Sequence, residues 1–142
     1  MTKEDKELLL KDLSARLLYE VKVCPIDCGT AILIGVLKDC VLLHDTVLNK
    51  DYDKPWDIEY IKPYLRPMSS ITDDEIRDLQ KITCQFCFSR YDSLAYVGAA
   101  DDGFCFVSEM EQILSYFNAH HFDYRGLIDK GLALEALEGM YK

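Results

Sequence analysis

A chain of 142 residues, 49% of them apolar and only 7 Gly and 4 Pro, is long enough to bury a core and is neither a linker nor a disordered tail. Its 25 acidic against 16 basic residues leave a formal charge of -9, which repels a phosphate backbone, and no basic patch offsets it, so direct nucleic-acid binding is not expected. The longest apolar run, Ala31 to Leu37, falls far short of the ~18 residues a membrane span needs. The charged opening MTKEDKELLL is unlike a signal peptide. A cytoplasmic protein without membrane contact is expected.

In chain order, residues 3–18 read as a helix capped by Thr2, with Leu9, Leu10, Leu13 and Leu17 at helical spacing on one face. Lys3, Lys6, Glu7, Lys11 and Asp12 form the face assigned to solvent. Tyr19 to Val23 then alternates apolar and polar, as a half-buried strand does. Pro25, Asp27 and Gly29 mark a turn. Thr30 to Leu37 and Cys40 to His44 read as strands joined at Lys38-Asp39. Residues 49–57 read as a loop, and Trp56 to Ile61 as a last strand. Pro63 and Pro67, four apart, predict an irregular surface crossover over residues 62–68.

The second half opens on Thr72-Asp73-Asp74-Glu75, a capping box before the apolar stripe Ile76, Leu79 and Ile82. Residues 86–97 are aromatic and read as one or two strands. Asp101-Asp102-Gly103 reads as a hairpin turn, with Phe104 to Val107 returning. Ser108-Glu109-Met110-Glu111 is a second capping box, starting a helix that runs to about His120 and buries Met110, Ile113, Leu114 and Phe117. Asp123 reads as the cap of a short helix, with Gly131 at its left-handed C-terminal position, and residues 132–138 read as a brief strand or a frayed helix.

These elements predict an α+β fold: an N-terminal helix with a small curled antiparallel sheet, in the manner of an SH3-like barrel, then helix, β-hairpin and helix. The stiffness of residues 62–68 favours a single compact domain over 1–142, with 1–68 and 69–142 as its sub-units.

Three constellations bear on chemistry. Cys24-x3-Cys28 and Cys84-x2-Cys87 are the four thiols available for a structural zinc site, which takes soft ligands in a tetrahedron. Phe86 and Phe88 around the second pair, and the long first spacing, favour reduced core thiols instead, in keeping with a cytosolic setting. His120 and His121, with an acid such as Glu109 or Glu111, are the candidate catalytic groups of a small hydrolase. Adjacent helical residues point about 100° apart, however, and histidines also suit a helix C-terminus. No phosphate-cradling loop or nucleophile motif is present, and no cofactor is expected. Finally, Tyr52, Trp56, Tyr60 and Tyr64, with Tyr91 and Tyr96, are many aromatics for loops and strand ends. Asp51, Asp53, Asp57 and Glu59 lie among the first of them. Such residues dominate protein-binding surfaces.

The stretches MTKEDKELLLKDLSARLLYEVKV, DIEYIKPYLRPMSSIT and YFNAHHFDYRGLIDKGLALEA together resemble a family of short, uncharacterised proteins encoded by gut anaerobes and by their phages and prophages. The resemblance implies a cytoplasmic, mobile-element setting and carries over no functional residue. The expectation is a non-enzymatic acidic accessory protein that binds a protein partner. The rival expectations are a hydrolase at His120 or His121 and a structural zinc domain.

Overall fold

The first helix, α1 (Lys3–Arg16), begins at a reciprocal capping box: the Thr2 hydroxyl accepts from the Asp5 N–H at 3.1 Å, and the Asp5 carboxylate accepts from the Thr2 N–H at 3.3 Å. Leu9 and Leu13 are fully buried, as their spacing predicts. Asp12, assigned by its sequence to the solvent face, is fully buried too. The helix carries the partner that permits this, since Arg16 lies one turn on and grips both Asp12 oxygens at 2.7 and 3.0 Å. A short 3₁₀ turn (Leu17–Tyr19) and a left-handed Glu20 follow, so the next strand starts later than the alternation implies.

The computed structural model describes the backbone of residues 1–82, 86–91, 94–99 and 107–141, and the side chains of residues 1–82 and 110–141. Its chain sorts into two units: 1–65 with 125–142, and 66–124. Residues 125–142, grouped by sequence with the second half, therefore belong to the first unit, and the short helix expected from Asp123 is instead a run of turns, with Gly126 in the left-handed conformation (φ 70) where a helix would have to continue.

The first unit holds α1 and a sheet built from β1 (Lys22–Pro25), β2 (Ala31–Val36), β3 (Cys40–Asp45), β4 (Lys50–Asp51), β5 (Trp56–Asp57), β6 (Ile61–Leu65) and β9 (Leu134–Glu135). The strand order is β4-β3-β2-β1-β6-β9, with β5 also on β3. Pairings are antiparallel except β6 with β9, so the sheet is mixed. It stays open: β4 and β9 end the path without pairing to each other, and the closed SH3-like barrel is not formed. Val21, Val23, Ala31, Leu33, Val41, Leu43, Ile61 and Leu65 meet Leu9 and Leu13 in the core. Between Leu33 and Gly35 the β2–β3 register slips by one residue, a bulge that bends the strand. A Cβ at Gly35 would sit 2.9 Å from Leu42 Cδ1 and 3.2 Å from Leu42 Cβ, so a larger residue there requires the Leu42 side chain to give way.

The expected crossover at 62–68 is instead largely strand. Pro63 sits inside β6, opposite Val23. The Ile26 N–H bonds to the Tyr60 carbonyl, so the period of two makes Val23–Pro63 a pair that exchanges no hydrogen bonds with β1. The missing N–H thus faces the β9 side, where pairing begins only at Tyr64. One pair further, the Tyr141 hydroxyl stands in the ladder: it accepts from the Lys22 N–H at 2.9 Å and donates to the Tyr64 carbonyl at 2.8 Å.

The second unit holds α2 (Asp73–Ile82), the hairpin β7 (Phe86–Tyr91) with β8 (Leu94–Ala99), and α3 (Val107–Ala119). Ile71, Ile76, Leu79, Ile113, Phe117 and Phe122 form its core. The expected turn at Asp101-Asp102-Gly103 and the side chains of the Ser108 capping box lie outside the described residues. α3 ends in a Schellman arrangement. The Phe122 N–H reaches the Phe117 carbonyl at 2.9 Å, and the His121 N–H reaches Asn118 at 3.2 Å. His121 takes the left-handed position (φ 59), and the Phe117 and Phe122 rings meet edge to face.

Candidate functional site

Two places bring chemically useful groups together, one in each unit. In the second unit, Glu75 is held from three sides. The Arg66 guanidinium donates to both its oxygens at 2.7 and 3.0 Å, and the Thr72 N–H and hydroxyl donate to Oε2 at 2.8 and 3.1 Å. Burial works against the charge, but these donors hold the Glu75 carboxyl down at about 2. Arg66 also lies over the Phe122 ring at 4.2 Å. His120 Nδ1 stands 3.5 Å from Glu75 Oε1, and its ring stacks on Tyr116 at 4.1 Å. Burial and the nearby charge of Glu75 push the Tyr116 phenol up to about 12.

Among the described side chains the acid beside His120 is Glu75 on α2, and not the exposed Glu111; the side chain of Glu109 lies outside the described residues. A carboxylate so committed to other donors is a poor proton acceptor. The adjacent histidines part company: His120 is 41% exposed, while His121 is buried at the left-handed end of α3. They do not act as a pair.

None of the described thiols is the fully buried core thiol expected. Cys24 and Cys40 are half-buried and Cys28 is exposed. Cys84 and the side chain of Cys87 lie outside the described residues, and among those described no group of three His, Cys, Asp or Glu is placed to hold a metal.

In the first unit the aromatics divide. Tyr52 and Trp56 meet edge to face at 5.6 Å and pack against the core. Tyr64 is half-buried on β6. Tyr60 is 52% exposed. The side chains of Tyr91 and Tyr96 lie outside the described residues. Tyr60 stands beside the β1–β2 loop, where the Ile26 N–H binds its carbonyl, and Ile26 is itself exposed. The same loop meets the β3–β4 turn, because the Thr46 hydroxyl donates to the Thr30 carbonyl at 3.1 Å. That turn presents Val47, 86% exposed, and Leu48.

The turn is rigidly specified. Asp45 Oδ1 accepts from the N–H groups of both Val47 and Leu48, at 2.8 and 2.9 Å. Those backbone bonds hold the Asp45 carboxyl below its ordinary value. Asn49 (φ 49) and Asp27 (φ 65) take the left-handed conformation that short polar side chains tolerate. Ile26, Val47, Leu48 and Tyr60 are therefore exposed apolar residues on loops at one end of the sheet, with Asp27, Asp45 and Asp51 on the same loops and strand ends.

No family model matches the chain, and no curated protein or solved structure is significantly similar to it. Among the described residues no helix is long and apolar enough to cross a membrane.

Of the apolar loop end, sequence reasoning named only Tyr60. Ile26, Val47 and Leu48 were passed over because isolated apolar residues in loops carry no periodicity. The available signal was Asp45-x-Val-Leu-Asn, two large apolar residues inside a turn bracketed by turn-forming polar ones.

Proposed function

We propose that this chain is a non-enzymatic binding protein that docks a protein partner on the loop end formed by Ile26, Val47, Leu48 and Tyr60. The observation that carries the reading is the Asp45-anchored turn, which fixes two large apolar side chains in water. Single exposed apolar residues are ordinary; what supports the reading is that Val47 and Leu48 are adjacent in one turn and that Ile26 and Tyr60 are exposed at the same end of the sheet. Burying a Val or Leu side chain fully is worth roughly 1.5–3 kcal/mol, which folding leaves unused here and a partner recovers. Asp27, Asp45 and Asp51 at this end and the overall charge of -9 favour a partner with apolar and cationic surface. The cytoplasmic setting and the phage-related origin implied by the resemblance belong to the same proposal.

The test is a pull-down from host lysate at low and moderate salt, with wild type and a Val47→Asp/Leu48→Asp variant. A stoichiometric partner that weakens with salt and is lost in the variant supports the reading. A partner held equally by both proteins refutes this docking face.

The second reading is a hydrolase, favoured by His120 standing against the oriented Glu75 carboxylate. If wild type captures nothing at either salt, hydrolysis of a substrate panel, with His120→Ala as the control, is the next assay. The zinc-domain reading is tested by elemental analysis of the purified protein.

A further inference from the structure

The β3–β4 hairpin that carries Val47 and Leu48 is short, and the Tyr52 N–H closes it on the Leu43 carbonyl at 3.0 Å. β4 is two residues long, and its register with β3 rests on His44 opposite Asp51 and Asp45 opposite Lys50. A side-chain bond spans the first of these pairs: His44 Nδ1 lies 2.7 Å from Asp51 Oδ1. Asp45 accepts inside the turn from Val47 and Leu48, and its carboxylate also hydrogen-bonds the Tyr52 side chain just past β4. Of the two side-chain links described across the base of the presenting turn, Asp45–Tyr52 and His44–Asp51, the second is thus the one that titrates in the histidine range.

From these positions we infer that the hairpin is a proton-sensitive latch: a protonated His44 ties Asp51 across the strand pair, and loss of that proton loosens the turn that displays Val47 and Leu48. The inference rests on the docking role proposed for that turn and names its regulation.

The groups around His44 favour its cation. Asp51 faces it from β4, the Asp45 carboxylate follows it directly on its own strand, and Asn49 approaches from the turn. β2 presents Ile32 opposite, an uncharged neighbour, with Lys22 of β1 one strand beyond. The Asp51 hydrogen bond, despite partial desolvation, raises the His44 proton affinity above its ordinary value. The charge-assisted bond is about twice as strong as the neutral one that replaces it. Folded-state affinity above the unfolded value means the added stability is complete at pH below the ordinary histidine range. It is lost as pH rises through the titration of folded His44.

The test uses the free protein, so its result is independent of whether a partner is found. The His44 ring protons are titrated by NMR, and amide exchange at residues 47–51 is measured at pH 6 and pH 8.5 and corrected for intrinsic rates. The expected result is a severalfold loss of protection at the higher pH in wild type, absent in both His44→Gln and Asp51→Asn. Equal protection at both pH values in wild type, or the same loss in the two variants, overturns the inference. Failure of the Val47/Leu48 pull-down with a positive exchange result removes the docking role and leaves the latch.

Discussion

Replacing Asp12 by Ala probes what ties α1 to the returning C-terminal segment. The Asp12 carboxylate receives Arg16 Nε at 2.7 Å and Nη2 at 3.0 Å, and Arg125 Nε stands 3.2 Å from Oδ1. Both Asp12 and Arg16 side chains are 0% exposed and Arg125 is 17% exposed, so water screens these charges little. Truncation leaves two guanidinium groups without their central anion. Removing one partner from a buried ionic cluster costs about 3–5 kcal/mol, a large share of the 5–15 kcal/mol that holds an ordinary domain together. Urea unfolding followed by circular dichroism reads this as a fall in midpoint at unchanged slope. The companion variant Asp12→Leu/Arg16→Met/Arg125→Met removes all three charges and is expected to recover much of the loss, since the penalty lies in uncompensated charge. A loss below about 1 kcal/mol for Asp12→Ala, the value of an exposed ion pair, refutes the reasoning.

Tyr141→Phe deletes the hydroxyl that joins the Lys22 N–H to the Tyr64 carbonyl, and a loss of about 1–3 kcal/mol is expected, with faster exchange of the Lys22 amide. Glu75, at about 2 in the fold against an ordinary 4.5, contributes up to roughly 3 kcal/mol that is present above pH ~4.5 and lost as pH falls toward 2. Wild type and Glu75→Gln should accordingly differ in stability at pH 6 and converge near pH 2 in acid-unfolding curves. Gly35→Ala drives a methyl into Leu42 at the β2 bulge, and a loss of about 1–3 kcal/mol in the same urea assay is expected.

Where local chemistry decides structure, the sequence was legible. The Thr72 box, the apolar stripes of α1 and α2, strands β2 and β3 and the α+β class all follow from spacing and caps. Three features depended on long-range neighbours and were not. Asp12 looks like a surface residue because its burial depends on the returning C-terminal segment, whose Arg125 stands 3.2 Å from it, while Arg16 one turn on reads equally as a surface ion-pair partner. Pro63 looks like a strand breaker because its harmless orientation depends on which edge β9 occupies. Glu75 looks like half of a capping box, and its place beside His120 arises from the packing of α2 and α3. The loop end was illegible for another reason: exposure of Val47 and Leu48 is decided by the Asp45 hydrogen bonds, and no hydropathy pattern reports them.

The first unit is discontinuous in sequence, and this has a consequence for how the protein is made. Its β9 strand, the Arg125 side of the buried ionic cluster and the Tyr141 ladder bridge all come from residues 125–142. During synthesis α1 and strands β1–β6 emerge first and wait, with Asp12 and Arg16 lacking Arg125, until the second unit has been translated. The second unit, contiguous from 66 to 124, meets no such delay. A ribosome stalled or a chain cut before residue 125 would therefore release a sheet with the β6 edge uncovered, a natural target for chaperones and proteases.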